Sequence, residues 1–186
     1  MKEREDIRQW MEAARQGDAH ACGVLVEQCG RRMFSLVQRM GLNTLDAEEV
    51  TQDALMRGLQ QLQHYNPTRA SLATWFCRIA YRTALNRLRK AEVVTLSVDE
   101  DETVTLETDR QMVRLFQEPD NSRVEQLQQA LEQLTPDEQT LITLFYYDDL
   151  PIGDIAYITE QTSNAVAVRL HRIRKKLYEH IQNLSS

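Results

Sequence analysis

The segment LTPDEQTLITLFYYDDLPIGDIAYITEQTSNAVAVRLHRIRKKL, residues 134–177, decides the fold of the C-terminal part of the chain. Pro136 and Pro151 stand where helices can begin, because proline lacks the N–H that a first helical turn leaves unpaired. Thr162 or Ser163 can cap the last helix. One face of that helix should point inward, since apolar residues recur at intervals of three and four: Val166, Leu170, Ile173 and Leu177. A short helix, a turn over residues 159–161 and a long helix predict a helix-turn-helix.

The opposite face of the last predicted helix has the character of a DNA-reading surface. It presents Asn164, Ala167, Val168, His171, Arg172 and Lys175. The block of residues 161–178 around it contains five basic residues and no acid. Many helical hairpins bind nothing, so the pattern favours DNA binding but leaves an inert hairpin as the alternative.

The composition of the whole chain is that of a helical protein. Of its 186 residues, 42% are hydrophobic and 27% are charged, and there are only 6 Gly and 4 Pro. Such a chain can bury a core but has little material for the turns of a β-sandwich or barrel. No run of about 18 apolar residues is present, and the N-terminus MKEREDIRQW is charged. We therefore expect an all-α, cytoplasmic protein with no membrane insertion.

The three cysteines predict neither a disulfide nor a metal site. Cys22 and Cys29 lie seven residues apart in one predicted helix, about 10.5 Å along its axis, which exceeds the roughly 7 Å that a disulfide spans. His20 together with these two thiols lacks a fourth ligand at a sensible spacing. We expect buried core thiols, no metal and no cofactor.

Four helices are predicted before residue 91. A short helix over residues 4–15 precedes a core helix over residues 18–41, whose inward face comprises Cys22, Val26, Cys29, Met33, Leu36, Val37 and Met40. Asp46 and Glu49 have the spacing of a helix cap and its third residue, so a third helix should start at Asp46 and end before Pro67. The fourth should begin near Ser71 and bury Leu72, Phe76, Ile79 and Thr83.

Charge is segregated along the chain, although the net charge of −6 and the pI of about 5.3 argue against a nucleic-acid partner. Residues 54–91 contain seven basic residues and no acid, whereas residues 92–109 contain seven acids and no basic residue. A single charge run usually marks a solvated helix face, but two runs of opposite sign weaken that interpretation. Residues 91–121 lack a helical period, and we predict a flexible acidic linker there between two small helical domains, residues 1–90 and 122–186.

Aromatic rings are interleaved with the arginines of the first basic run. Arg78, Arg82, Asn86 and Arg89 share one face of the fourth predicted helix, and Tyr65 and Trp75 flank its start. Arginines bind phosphates and aromatic rings stack on unpaired bases, so this surface fits single-stranded or melting DNA. A core position is the alternative for Trp75, whereas Tyr65, at a helix end beside Pro67, is harder to explain as core.

Two segments taken together resemble a known family. The segment LDAEEVTQDALMRGLQQLQHYNPTRASLATWFCRIAYRTALNRLRK, residues 45–90, resembles the second conserved region of extracytoplasmic-function (ECF) sigma factors, and residues 134–177 resemble their fourth region. The resemblance implies a bacterial initiation factor that binds core RNA polymerase and directs it to a promoter. It also implies an anti-sigma factor as a partner and no catalytic residues in the chain itself.

The resemblance also implies roles for individual residues. Five would dock on the clamp coiled coil of the polymerase: Asp46, Glu49, Val50, Gln52 and Asp53. Tyr65, Asn66 and the loop through Arg69 to Ser71 would hold a flipped base of the minus-ten element, and Trp75, Arg78, Arg82 and Asn86 would lie at the upstream edge of the melted DNA. The minus-thirty-five element would meet Thr162, Ser163, Asn164, Ala167, Val168, His171, Arg172 and Lys175.

The last helix-turn-helix departs from the family pattern. Glu160 occupies a turn position where family members often have Gly, and Ala167 and Val168 replace a basic residue and Ser on the DNA-facing surface. These departures affect the expected minus-thirty-five contacts and leave the family resemblance intact.

Two other classes of function compete with a promoter-recognition factor. A stand-alone helix-turn-helix regulator would use the N-terminal helices for dimerisation or ligand sensing, but it has no use for base-stacking residues between 65 and 90. An enzyme has little support, because the four histidines are scattered and no glycine-rich phosphate loop is present.

Overall fold

The computed structural model describes the backbone of residues 2–91 and 121–184 and the side chains of residues 7–89 and 126–183. Within these ranges every regular element is helical, and the all-α prediction is confirmed. The chain divides into two compact units. Residues 92–120, which make up nearly all of the predicted linker, lie outside the described residues.

The N-terminal unit is built from four α-helices and one short 3₁₀ helix. These are α1 (Lys2–Arg15), α2 (Ala19–Arg39), α3 (Thr44–Gln60), the 3₁₀ helix Leu62–His64 and α4 (Leu72–Ala91). Helix α2 packs against α1, α3 and α4, and α3 also packs against α4. The core of this unit therefore surrounds α2.

Helix α2 buries a slightly different stripe from the predicted one. Its first turn is capped by Asp18, whose carboxylate accepts a hydrogen bond from the Ala21 N–H. Ala21 and Leu25 are buried, whereas Cys22 and Val26 are only half-buried. Both sets precede Cys29 at intervals that a helical period allows, so the sequence pattern alone did not distinguish them. Burial raises the pKa of the Cys29 thiol to about 11, which keeps it protonated.

The predicted start of α3 at Asp46 is wrong by three residues. Asn43 is the N-cap, its side-chain oxygen accepts the Asp46 N–H at 2.9 Å, and the helix begins at Thr44. Asn and Asp are about equally good caps, which is why the same three-residue spacing suggested Asp46. Asp46 instead lies in the first turn, where the helix dipole favours an acid.

The C-terminal unit contains the predicted helix-turn-helix. Its elements are α5 (Asn121–Glu132), α6 (Pro136–Ile142), a π-helical turn Thr143–Tyr147, α7 (Ile152–Thr159) and α8 (Ser163–Leu184). Thr135 and Glu138 form a capping box at the start of α6, with Pro136 in its first turn. The four residues predicted to face inward from α8 are all buried: Val166, Leu170, Ile173 and Leu177.

The turn between α7 and α8 places Glu160 in a left-handed conformation, with φ of 59°. The following amide, Gln161 N–H, donates back to the carbonyl of Ala156 at 3.0 Å and closes the end of α7. Thr162 then caps α8, because its hydroxyl accepts the Ala165 N–H at 3.1 Å. Glycine adopts this conformation without a Cβ penalty, so the structure explains why the position suits Gly.

Candidate functional site

The outward face of α3 combines acidic and apolar side chains. Six exposed residues lie on it, opposite the buried side of the helix: Leu45, Glu48, Glu49, Gln52, Asp53 and Met56. Leu45 is 78% exposed and Met56 is 59% exposed, which is unusual for large apolar side chains. We call these six residues the α3 outer face. Its ends are apolar and its middle is acidic or polar.

Val50 does not belong to this face, and its burial disfavours the predicted contact with the polymerase, which stays a prediction. The residue is only 4% exposed, because it lies on the side of α3 that packs into the core with Ala47 and Ala54. The prediction followed the linear motif around Glu49 and Gln52, which includes one position of the opposite helical face.

Asp46 is held by contacts within its own unit. Its carboxylate accepts from Asn43 Nδ2 at 2.8 Å and from Arg87 Nη2 of α4 at 2.6 Å. The hydrogen bond from Arg87 is the main reason why the pKa of Asp46 lies below its usual range. The same Arg87 nitrogen lies 3.4 Å from Glu49 Oε2. Arg87 thus links the first turn of α3 to α4.

The loop between the 3₁₀ helix and α4 is held by its own side chains. The Tyr65 hydroxyl donates to the Ala70 carbonyl at 3.0 Å. Asn66 Oδ1 accepts from both the backbone N–H and the hydroxyl of Thr68, at 2.9 and 2.8 Å. Arg69 is exposed at the loop surface. These bonds fix the shape of residues 65–71 before any ligand binds.

Tyr65 and Trp75 are core residues, which corrects the expectation that Tyr65 lies on the surface. They are 9% and 8% exposed, and their ring centroids lie 5.6 Å apart in an edge-to-face arrangement. Trp75 also packs edge-to-face on Phe76 at 5.2 Å. Burial raises the pKa of the Tyr65 phenol. The two rings therefore support the loop of residues 65–71 from beneath.

The outer face of α4 keeps most of the polar stripe exposed. Arg82, Asn86 and Arg89 are exposed, and Arg78 is half-buried. Thr83 and Phe76 lie on the buried side of the same helix. Three basic side chains and an amide thus follow one helix at intervals of three and four, which suits a phosphate backbone.

The outer face of α8 begins polar, has two apolar residues in its middle and ends in basic side chains. Thr162, Ser163, Asn164 and Lys175 are exposed, whereas the four positions between them on this face are half-buried: Ala167, Val168, His171 and Arg172. Within residues 7–89 and 126–183, no group of three or more His, Cys, Asp or Glu side chains could hold a metal ion.

Comparisons with known proteins agree with this architecture. The family model for sigma-70 region 2 matches residues 25–93, and the model for sigma-70 region 4 matches residues 124–177. The RNA polymerase sigma factor SigV of Bacillus subtilis is 30% identical over 146 residues, covering 78% of this chain and 79% of SigV. The ECF RNA polymerase sigma factor SigW of the same organism is 26% identical over 184 residues, covering 96% and 98%.

The chain belongs to the ECF sigma factors. A solved structure of CnrH in complex with the cytosolic domain of CnrY shares the fold, with a TM-score of 0.62 and 21% identity over 95% of this chain and 97% of CnrH. Both segments that carried the resemblance, residues 45–90 and 134–177, fall inside the matched regions. The protein is thus a promoter-recognising transcription initiation factor.

Two exposed pairs of this sigma factor were missed by sequence reasoning. Leu45 and Met56 on α3 could have been found, because helical spacing places these apolar residues on the same side as Glu49 and Gln52. Tyr146 and Tyr147, 50% and 69% exposed, lie in the π-helical turn of the C-terminal unit. No sequence period predicts a π-helical turn, so nothing in the sequence indicated that these two tyrosines are exposed.

None of the helices in the described parts of the chain is long and apolar enough to cross a membrane.

Proposed function

We propose that this sigma factor binds core RNA polymerase through the α3 outer face. The exposure of Leu45 and Met56 on either side of Glu49 and Gln52 carries the proposal. Exposed apolar residues on both sides of an acidic stretch fit an interface in which the partner offers apolar contacts as well as opposite charge. A helical partner with apolar and basic side chains, such as the clamp coiled coil of the polymerase, has the matching chemistry.

The promoter contacts in this proposal lie on two other surfaces. Residues 65–71, here named the promoter-side loop, bind the minus-ten element together with the outer face of α4. Arg69, Arg82 and Asn86 reach the DNA directly. Tyr65 and Trp75 contribute by supporting the loop, since both rings are buried. The outer face of α8 binds the minus-thirty-five element in the major groove, as the second helix of a helix-turn-helix does.

Regulation by an anti-sigma factor is part of the same proposal. The structural relative CnrH is bound to the cytosolic domain of CnrY. We expect a protein inhibitor of this kind to cover one of the exposed faces described above. Since the polymerase and the chromosome of a bacterium are cytoplasmic, the proposal places this protein there, with no catalytic activity of its own.

Reconstituted transcription with a matched pair of charge reversals tests the polymerase contact. Asp53→Lys, on the α3 outer face, should weaken binding to core polymerase by about tenfold, because it places a cation where a basic partner docks. Glu27→Lys makes the same charge change on the exposed side of α2 and should leave core binding unchanged. Leu45→Asp should also weaken binding, with no change in thermal stability.

Two results would overturn the proposal. One is equal core affinity for Asp53→Lys and Glu27→Lys, which would remove the α3 outer face from the interface. The other is the absence of specific initiation when the wild-type protein and core polymerase are given a genomic promoter library, which would favour a stand-alone regulator.

A further inference from the structure

Helix α1 lies before the part of the chain that matches sigma-70 region 2, which begins at residue 25. It packs against α2 and contacts the 3₁₀ helix Leu62–His64. Met11 is 6% exposed, and the Trp10 ring meets His20 of α2 edge-to-face at 5.4 Å. An N-terminal helix outside the matched region is thus anchored beside the element that leads into the promoter-side loop.

Arg15, the last residue of α1, makes the polar link to that element. Its Nη2 donates to the backbone carbonyl of Leu62 at 3.2 Å. Leu62 is 1% exposed, so this carbonyl belongs to a buried residue. A guanidinium that donates to a carbonyl makes a charge-assisted hydrogen bond, stronger than one between neutral groups. On its other side Arg15 lies 3.5 Å from Glu12 Oε2, which restrains the guanidinium.

The Leu62 carbonyl also sets where the promoter-side loop begins. It accepts the Tyr65 N–H at 3.2 Å, so one oxygen receives both Arg15 and the first residue of the loop. Tyr65 in turn donates its hydroxyl to Ala70, near the end of the loop. The contacts form a continuous series from α1, through the Leu62 carbonyl and the Tyr65 ring, to both ends of the loop.

We infer that Arg15 is a positioning residue for minus-ten recognition. Its effect would be indirect, because its guanidinium is engaged by the Leu62 carbonyl and by Glu12. It holds the carbonyl that orients Tyr65, and through Tyr65 it holds the loop that carries Asn66 and Arg69. The inference rests on the proposed role of the promoter-side loop, and it extends the promoter-reading unit to α1. Preorganised loops bind with less loss of conformational entropy, so loosening this one should reduce base selectivity.

Selection from a random pool tests the inference without a known promoter. Holoenzymes assembled with wild type, Arg15→Gln, Arg15→Lys and Arg31→Gln are each mixed with a randomised twelve-nucleotide single-stranded DNA pool, and the bound strands are sequenced. Arg31 is exposed on α2, so Arg31→Gln is the charge-matched control. Arg15→Gln should lower enrichment of the preferred bases by about tenfold. Arg15→Lys should retain part of the enrichment that Arg15→Gln loses, because an ammonium also donates to a carbonyl.

Two further measurements separate positioning from general stability. Affinity for core polymerase should be the same for all four proteins, and amide hydrogen exchange at Tyr65 should be faster in Arg15→Gln only. If wild type enriches no motif, the proposed role of the loop fails. If wild type enriches a motif and Arg15→Gln enriches it equally, only the inference about Arg15 fails. Loss of core binding by Arg15→Gln would also overturn the inference, because it would show a merely structural role.

Discussion

Gly58 on α3 shows how one missing side chain sets the packing of the N-terminal unit. A Cβ at this position would overlap Cε1 and Cδ1 of the Phe76 ring on α4. Phe76 is fully buried, so its ring has no space into which it can move. Glycine in the middle of a helix costs about 0.5–1 kcal/mol relative to alanine, but overpacking a filled core costs about 1–3 kcal/mol. For alanine at position 58, the cost of the overlap should therefore exceed the gain in helix propensity.

We predict that Gly58→Ala lowers the free energy of unfolding by about 1 kcal/mol or more. Gly23→Ala is the matched control, since Gly23 lies in α2 with no atom within 4 Å of the added Cβ. It should raise the free energy of unfolding by about 0.5–1 kcal/mol. Urea denaturation of the two variants checks both signs. Stabilisation by both substitutions would show that α3 and α4 can separate at no cost.

Glu138 makes the stability of the C-terminal unit depend on pH. Partial burial alone would raise the pKa of this carboxyl, but hydrogen bonds from Lys176 Nζ at 2.9 Å and from the Thr135 N–H hold it below its usual value of 4.5. A group with a lowered pKa contributes its stability above the pKa of the unfolded chain and loses it as the pH falls through the folded value. The contribution is therefore present at pH 7 and disappears below about pH 4.5.

The corresponding prediction compares wild type with Glu138→Gln. Glutamine can keep the capping box but cannot form the ion pair with Lys176. The variant should be less stable at pH 7, and the difference should shrink as the pH falls below 4.5. Thermal unfolding across this pH range is the measurement. Glu132→Gln, at an exposed position of α5, should match wild type throughout. A difference between wild type and Glu138→Gln that is independent of pH would contradict the assigned pKa.

At the scale of elements, the helices could be predicted and several of their details could not. Apolar residues at intervals of three and four identified α2 and α8, because that period follows directly from helix geometry. The sequence does not fix the cap of α3, since Asn43 and Asp46 are both good capping residue types and the structure uses Asn43. Tyr65 is hard to explain as a core residue from the sequence, because its hydroxyl pairs with the Ala70 carbonyl in a loop that has no regular period.

The apolar residues in the middle of the outer face of α8 lead to a prediction about its affinity for DNA. Ala167 and Val168 cannot bond to phosphates, so we expect weak binding of the minus-thirty-five duplex by this unit. Ala167→Lys should tighten binding to many sequences and steepen the salt dependence by about one counterion, as a new phosphate contact does. Asn183→Lys, exposed near the end of α8, is the control and should change neither. Fluorescence anisotropy on several duplexes over a salt series measures both effects.

At the scale of the molecule, the net charge conceals the fact that acidic and basic side chains lie on different surfaces. The net charge is −6, yet residues 54–91 contain no acid. In the N-terminal unit the α3 outer face is acidic and apolar, whereas α4 exposes Arg82, Asn86 and Arg89. The two helices pack against each other through their buried sides. One small unit therefore presents two chemically different faces, one suited to a protein and one to DNA.

The separation of these faces predicts that binding to polymerase and opening of DNA can be uncoupled. Arg82→Ala removes an exposed cation from α4 without touching the α3 outer face or the buried core. Affinity for core polymerase should stay unchanged, while open-complex formation on a duplex promoter should fall by about tenfold, the effect of losing one charge-assisted contact. Arg31→Ala on α2 should leave both unchanged.

Permanganate reactivity of the melted thymines reports opening, and a premelted minus-ten bubble shows which step is affected. Partial recovery on the bubble would assign Arg82 to strand separation, and no recovery would assign it to holding the opened strand. Normal permanganate reactivity for Arg82→Ala on the duplex would remove this face of α4 from the promoter contact.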